Sequence, residues 1–360
     1  MKIAIAQLNY TIGDIDGNAS KIIDSINKAK AQRADLVIFA EQAVSGTPAF
    51  DLLRKTTFLE LCEDALVEIA SCCDGIAAIV GLPILTREGT ISAAALIQDR
   101  KVLRYVGKKY ISARREMGFL VPSKGFEYAT IKGHKCAIIV GDDLSREHDF
   151  DKSVETVISI NARKYGKGAM TYRYDMMRHL SFVEAKNIVL VNQVGGATDI
   201  VYDGTSAVVG ADGQIELLMK SFEEDFAIFD TRAEHEPIAV PYTTYKDRTR
   251  MVYSAAVCGL HDYFGKNGYA KAAIGLSGGI LATVFNDLAT GLSPDIPVVR
   301  ELMILLILLV GHGINLFMSS ISSFVHPMRL TFVEFYKNAG FEMAARQFEP
   351  LTKIDQSENK

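Results

Sequence analysis

Cysteine is scarce in this chain of 360 residues: only Cys62, Cys72, Cys73, Cys136 and Cys258 are present. An odd, irregularly spaced set argues against a disulfide framework and fits a reducing cytoplasm. There is no CxxC pair and no His/Cys cluster, so no metal site is expected. Positive charge is not in excess either. The net charge of -4 at pH 7 gives no electrostatic footprint for nucleic acid, which is not expected as a partner. The opening MKIAIAQL lacks the apolar core and cleavage site of a signal peptide, which argues against export. Repeats and low-complexity tracts are absent. With 49% hydrophobic and 23% charged residues, the chain has a globular composition and could form one large domain or two smaller ones. One region is out of character. Leu302–Val325 contains no Asp, Glu, Lys or Arg, and a run of about 20 apolar residues can span a bilayer.

Up to about residue 230, apolar runs of strand length alternate with helical patterns. MKIAIAQL, ADLVIFAEQAV, GIAAIVGLPIL, TISAAALIQD, KVLRYVGK, KCAIIVGDDL and NIVLVNQVGG read as strands. Helices are predicted over 18–33, with Asn18 as N-cap, over 58–72 and over 153–163. TSAVVGADGQI predicts a hairpin turning at Ala211-Asp212-Gly213. This order of elements implies α/β layers with largely buried sheets. It does not distinguish a doubly wound fold from a sandwich. Glu234–Arg250 is polar, holds Pro237 and Pro241, and reads as a linker. A further helix is expected over 252–265.

Three distant segments carry reactive side chains at the ends of apolar runs. VIFAEQAVSG places Glu41 at a strand terminus. RYVGKKYISARREMGFLVPSKG supplies Lys108, Lys109 and Glu116. KCAIIVGDDLSRE ends a strand at Ile139-Val140-Gly141-Asp142-Asp143. Taken singly, each could be a solvated loop. Together they resemble the nitrilase, or carbon–nitrogen hydrolase, family, whose chemistry uses a Cys nucleophile, a Glu general base and a Lys that stabilises an oxyanion. The resemblance implies a four-layer αββα sandwich. It assigns the base to Glu41 and the lysine to Lys109, with Lys108 as the alternate. It makes Glu116 a second, orienting glutamate and puts Gly141 where the family keeps its cysteine. Cys136, five residues earlier, would lie about 16 Å away along a strand and on its opposite face. A serine hydroxyl such as that of Ser145 would need a stronger base than a carboxylate. Amide hydrolysis is therefore expected to be lost or severely reduced.

VLVNQVGGATDIVYDGTSAVVGADGQI is similar to the glutaminase domain of glutamine-dependent NAD synthetases within that family. The similarity implies a glutamine-like small-molecule partner, with Asn192 and Ser206 as candidates to bind its amino-acid head, and no cofactor in this domain. Family members often pair through helices near the nucleophile strand, so a homo-oligomer is expected. Residues 252–280 resemble the entry to the synthetase domain. However, Ser277-Gly278-Gly279-Ile280 continues as Leu281-Ala282 rather than Asp-Ser, so neither an ATP site nor NAD synthesis is expected.

Residues 281 to about 351 are similar instead to the end of V-type ATPase subunit I, in VFNDLATGLSPDIPVV, LLVGHGINLFMSSISSFVHPMRL and TFVEFYKNAGF. The expected organisation is a glutaminase-like domain over 1–232, a linker and truncated synthetase start over 233–280, and a helical tail over 281–360. One transmembrane-like helix at 302–325 could attach an otherwise cytoplasmic protein to a membrane.

Overall fold

The computed structural model describes residues 1–111, 116–146, 150–239, 245–267, 286, 299–314 and 316–317. It divides into two units, Met1–Tyr269 and Ala270–Lys360.

The first unit contains two six-stranded sheets. The strands are β1 (Lys2–Gln7), β2 (Leu36–Ile38), β3 (Ala77–Thr86), β4 (Gly89–Gln98), β5 (Lys101–Gly107), β6 (Glu127–Ile131), β7 (His134–Val140), β8 (Thr156–Asn161), β9 (Asn187–Asn192), β10 (Val194–Ala197), β11 (Ile200–Asp203), β12 (Ala207–Val209), β13 (Ile215–Leu218) and β14 (Asp225–Asp230). One sheet has the order β14-β1-β2-β3-β4-β5, the other β13-β12-β9-β8-β7-β6, and β10-β11 form a separate hairpin. The helices are α1 (Ile15–Ala31), α2 (Thr56–Ser71), α3 (Ala169–Glu184) and α4 (Tyr245–Lys266).

The two-residue period of the strands builds the layers. Ile3 and Ile5 of β1 meet Ile138 and Val140 of β7 in a core between the sheets. Ala4 and Ala6 of β1 face the other way, into a core shared with Ile22 and Ile26 of α1 and Leu59 and Leu66 of α2. Ala137 and Ile139 of β7 pack with Met170, Tyr174 and Met177 of α3. The result is α1/α2, sheet, sheet, α3: the expected αββα order. Each fully buried Ile or Leu contributes about 1.5–3 kcal/mol, so a polar residue at Ile138 or Ile158 would strike all of this at its centre.

Three sequence expectations change. The predicted helix over 153–163 is the strand β8. TVISIN is rich in β-branched residues and buried on both faces, and it pairs in parallel with β7 and β9; in such a central strand the helix-like pattern is overridden. Helix α3 was not foreseen, because its buried face includes Arg173, Tyr174 and Ser181 rather than a purely apolar stripe. The N-cap of α1 is Asp14, whose carboxylate accepts from the Gly17 N–H at 3.1 Å. Asn18 instead sits inside the helix and ties Thr11 to Val44 through its side-chain amide. The hairpin at 211–213 forms as expected, joining β12 to β13.

Helix α4, placed by the sequence in the connecting stretch, packs on the β10-β11 hairpin of the first unit. Its Asp262 accepts from the Gly196 N–H (2.6 Å) and the Asn9 amide (2.7 Å). Its Lys266 donates to Asn9, Tyr10 and Gly196. In the second unit, residues 299–314 are helical. No helix among the described residues is long and apolar enough to cross a membrane, so the transmembrane-like helix expected over 302–325 is not found among them. The rest of that stretch, and Ser277–Ile280, lie outside the described residues.

Candidate active site

The three reactive segments converge because all three follow the carboxyl ends of strands at one end of the sandwich. Glu41 lies just beyond β2. Its loop is held by Phe39 N–H to the Ile79 carbonyl (2.9 Å) and by Glu41 N–H to the Asn161 carbonyl (3.2 Å), which links the first sheet to the end of β8 in the second. Gly81 makes this passage feasible: a Cβ there would lie 2.2 Å from the Ala40 carbonyl oxygen. Lys108 follows β5, and Gly141 follows β7 and begins a short 3-10 turn over Gly141–Ser145.

Glu41 and Lys108 are buried, at 2% and 3% exposure. Glu41 Oε1 accepts from Ser92 Oγ (2.8 Å) and from Lys108 Nζ (3.1 Å). The same ammonium donates to both oxygens of Glu116, at 3.1 and 3.0 Å. One cation thus serves two carboxylates. Burial works to lower the Lys108 pKa, but the charges of Glu41 and Glu116 outweigh it and raise it. Glu116 is pushed up to about 7, first by burial and then by the charge of Glu41, against the pull of Lys108. Protonated, it becomes a hydrogen-bond donor.

Of the two candidate lysines, it is Lys108, the alternate, and not the preferred Lys109, that joins this cluster. Lys109 is exposed, and its ammonium lies 5.3 Å from the centre of the Tyr110 ring. The reason is Asp143, whose carboxylate accepts the backbone N–H groups of Lys109 (2.7 Å) and Tyr110 (2.8 Å). This clamp fixes the loop so that residue 108, not 109, turns inward. Nothing in the doublet Lys108-Lys109 reveals which one the clamp selects.

Gly141 is buried with φ +63°, and an ideal Cβ on it would lie 2.8 Å from Glu41 Oε2, 2.8 Å from Lys108 Nζ and 2.7 Å from Lys108 Cε. A side chain at this position would therefore enter directly between the Glu41 carboxylate and the Lys108 ammonium. Neither neighbouring nucleophile reaches the place. Cys136 is buried in the core between the sheets, and burial pushes its thiol up to about 12, with Glu155 adding to the rise. Ser145 donates its hydroxyl to the Asp142 carbonyl at 2.6 Å.

A cavity of about 270 Å³ opens onto this cluster, with Arg163, Tyr172 and Tyr202 among the residues of its walls. Asn192 and Ser206 are not among them. Both are fully buried (0%) behind the site. The Asn192 amide donates to Arg163 O, Asp203 and Gly204 O, and its carbonyl accepts from Arg163 N–H. Ser206 Oγ donates to Gln7 Oε1 at 2.9 Å. Expected from the sequence as binders of an amino-acid head, both instead sit behind the cavity wall and hydrogen-bond within it. Ser92, Asp143 and Arg163 were missed by sequence reasoning, since each is defined only by packing between distant strands.

No family model matches the chain. The chain is similar to the glutamine-dependent NAD(+) synthetase of Acinetobacter baylyi, with 32% identity over 292 residues, covering 78% of this chain and 53% of that protein. Among solved structures it is similar to glutamine-dependent NAD+ synthetase from Acinetobacter baumannii in complex with adenosine diphosphate. That match has a TM-score of 0.68 and 30% identity, and covers 79% of this chain and 55% of the other. An amidase of the nitrilase superfamily from Nesterenkonia shares the fold, with a TM-score of 0.56 at 21% identity over 63% of this chain and 89% of its own. The chain spans about half the length of the synthetases it matches. The α/β nitrilase-like fold and the similarity to the glutamine-dependent synthetases are thus established. None of these relatives is a V-type ATPase subunit, and the resemblance of residues 281–351 to one gains no support from them.

Proposed function

We propose that this chain carries a glutaminase-type carbon–nitrogen hydrolase site without its nucleophile, which holds a small carboxamide such as glutamine but does not hydrolyse it. The supporting observation is the Cβ direction at Gly141, aimed between Glu41 Oε2 and Lys108 Nζ at 2.8 Å from each. In a site with a thiol at that position, Glu41 would take the thiol proton and the sulfur would attack the amide carbon. Lys108 would stabilise the oxyanion, and the amide nitrogen would leave as ammonia after recovering the proton. With hydrogen at position 141, the base and the oxyanion partner remain but the covalent step has no attacking atom. The direct test follows ammonia from L-glutamine with the full chain and its Gly141→Cys variant. Release by the variant alone is the expected result; release by the unmodified chain would reveal another nucleophile and overturn the reading.

A non-enzymatic part in self-association is a second reading. It is favoured by the adjacent apolar side chains that α3 leaves exposed near its carboxyl end, Phe182 and Val183, at 70 and 61% exposure. Single exposed apolar residues are ordinary, whereas a cluster on one element marks an interaction surface. The five unpaired cysteines fit a reducing compartment. A membrane role for the tail rests on its sequence alone.

A further inference from the structure

We infer that Arg163 determines the specificity of this cavity: it receives a carboxylate at the far end of the bound carboxamide. The ligand class is then an ω-carboxamide with a terminal carboxylate, and an α-ammonium is not required. This rests on the carboxamide-binding reading above.

Three observations carry it. First, Arg163 brings a charge into the wall of the cavity of about 270 Å³ that the protein itself only half satisfies. The side chain is 15% exposed. Its Nε donates to Asn161 Oδ1 at 3.1 Å. Its Nη2 is buried without a hydrogen bond, and Asp142 Oδ1 stands 3.5 Å from it, beyond the usual N–H···O range. Burial works against the guanidinium and lowers its pKa, with Asp142 opposing. Buried charges are normally both paired and hydrogen-bonded. With Nε engaged, the terminal edge of the fork is left, and that edge matches a carboxylate.

Second, the charges of the cavity wall separate into two groups. At the buried end Lys108 serves Glu41 and Glu116, and Arg173 is paired with Asp203. Towards the mouth, Arg163 and the exposed Lys164 share the wall with Asp142. Two cations against one anion leave one positive charge, which a single ligand carboxylate balances. The two groups are neighbours in the chain: Asp142 follows Gly141 directly, and Glu41 N–H donates at 3.2 Å to the carbonyl of Asn161, two residues before Arg163. A short ligand can therefore present its amide to the first group and its carboxylate to the second.

Third, Arg163 is held in place before any ligand arrives. Its backbone N–H donates to Asn192 Oδ1 at 2.7 Å, and its carbonyl accepts from Asn192 Nδ2 at 3.1 Å. A guanidinium fixed at both its backbone and its Nε loses little freedom on binding. Magnitudes decide against a matching need for an ammonium. The Asp142 side chain is 38% exposed, and an ion pair at such a position is worth at most about fivefold in affinity. A hydrogen bond to a charged group, as at the more buried Arg163, is worth roughly 10- to 150-fold.

The experiment titrates the full chain with glutaramate, pentanamide and L-glutamine by calorimetry. Glutaramate and pentanamide share the amide and the chain length and differ in a terminal carboxylate against a methyl group. Glutaramate should bind roughly 10- to 150-fold more tightly than pentanamide and within about fivefold of L-glutamine. Arg163→Met should abolish the advantage of glutaramate while leaving pentanamide binding as in the parent, which a merely structural role would not do. Arg163→Lys, which keeps the charge without the fork, should retain part of the advantage. Glutaramate that binds no better than pentanamide, that falls below L-glutamine by more than this factor, or that is unaffected by Arg163→Met overturns the inference while the carboxamide reading stands. Binding of none of the three amides removes both.

Discussion

Replacing Lys108 with methionine tests the electrostatic centre of the site. Methionine keeps the length and apolar stem of lysine but removes the charge. In the native chain one ammonium, 3% exposed, neutralises Glu41 at 3.1 Å and Glu116 at 3.0 Å. Without it, two carboxylates face each other and, among the described residues, Glu41 keeps Ser92 as its side-chain donor. Breaking a buried pair by removing one partner costs about 3–5 kcal/mol.

The cost should depend on pH, with a sign that follows from Glu116. Its native pKa is raised to about 7, above the value of about 4.3 for an unperturbed glutamate. Between these values the native state binds more protons than the unfolded one, so native stability falls as pH rises through this window and levels off above it. Losing the ammonium removes the charge that holds the Glu116 pKa down, raises it further and extends the fall above pH 7. Denaturant melts at pH 5 and pH 8 should therefore show the larger loss for Lys108→Met at pH 8. Lys109→Met, at an exposed position, should stay within about 0.5 kcal/mol of the parent at both. A Lys108→Met variant as stable as the parent at pH 8, or a Lys109→Met variant that is the more damaged, would refute this account of the site.

Other outcomes are expected elsewhere. Asn192→Ala leaves Arg163 N–H and Arg163 O without the side-chain partner Asn192 gives them and Gly204 O with Arg173 Nη1 at 3.4 Å in its place; it should cost about 1–3 kcal/mol in a denaturant melt. Because Asn192 lies behind the cavity wall, glutamine affinity measured by calorimetry should change less than for a cavity residue. Phe182→Glu on the outer face of α3 should lower the molar mass seen by light scattering if α3 forms a self-association surface, with the melting temperature unchanged. Gly141→Cys places a side chain at φ +63°, a conformation that costs about 1–3 kcal/mol, so this variant should melt below the parent even if it gains activity.

Legibility differed by element. The strands at the centre of the sandwich, such as MKIAIAQ and KCAIIV, are apolar over most of their length and announce their burial. Their alternating faces were also readable: Cys136 lies on the inter-sheet side and Ile139 on the helix side, as the two-residue period requires. TVISIN was misread because its neighbours in the sheet, rather than its own pattern, decide its state. Helix α3 escaped because Arg173 is buried and salt-bridged to Asp203 at 3.1 Å, so a charged residue occupies what is in fact a core position. At the site, Glu41, Glu116 and Gly141 could be located from strand ends and family motifs. The choice between Lys108 and Lys109 could not, because it depends on the Asp143 carboxylate capturing two backbone N–H groups from a loop 33 and 34 residues away. Asn192 and Ser206 are polar residues in a distinctive string, but that string also has to satisfy the buried backbone around Gly204 and Gln7, and packing gave them that role.

The central claim is that position 141 is where the attacking atom belongs. Peptide-mapping mass spectrometry on the Gly141→Cys variant, quenched in acid during incubation with L-glutamine, tests it most directly. The account predicts a γ-glutamyl thioester on the peptide spanning residue 141, and no acylated peptide from the unmodified chain. Acylation at Cys136 or Ser145, or any acylated peptide from the unmodified chain, would contradict it.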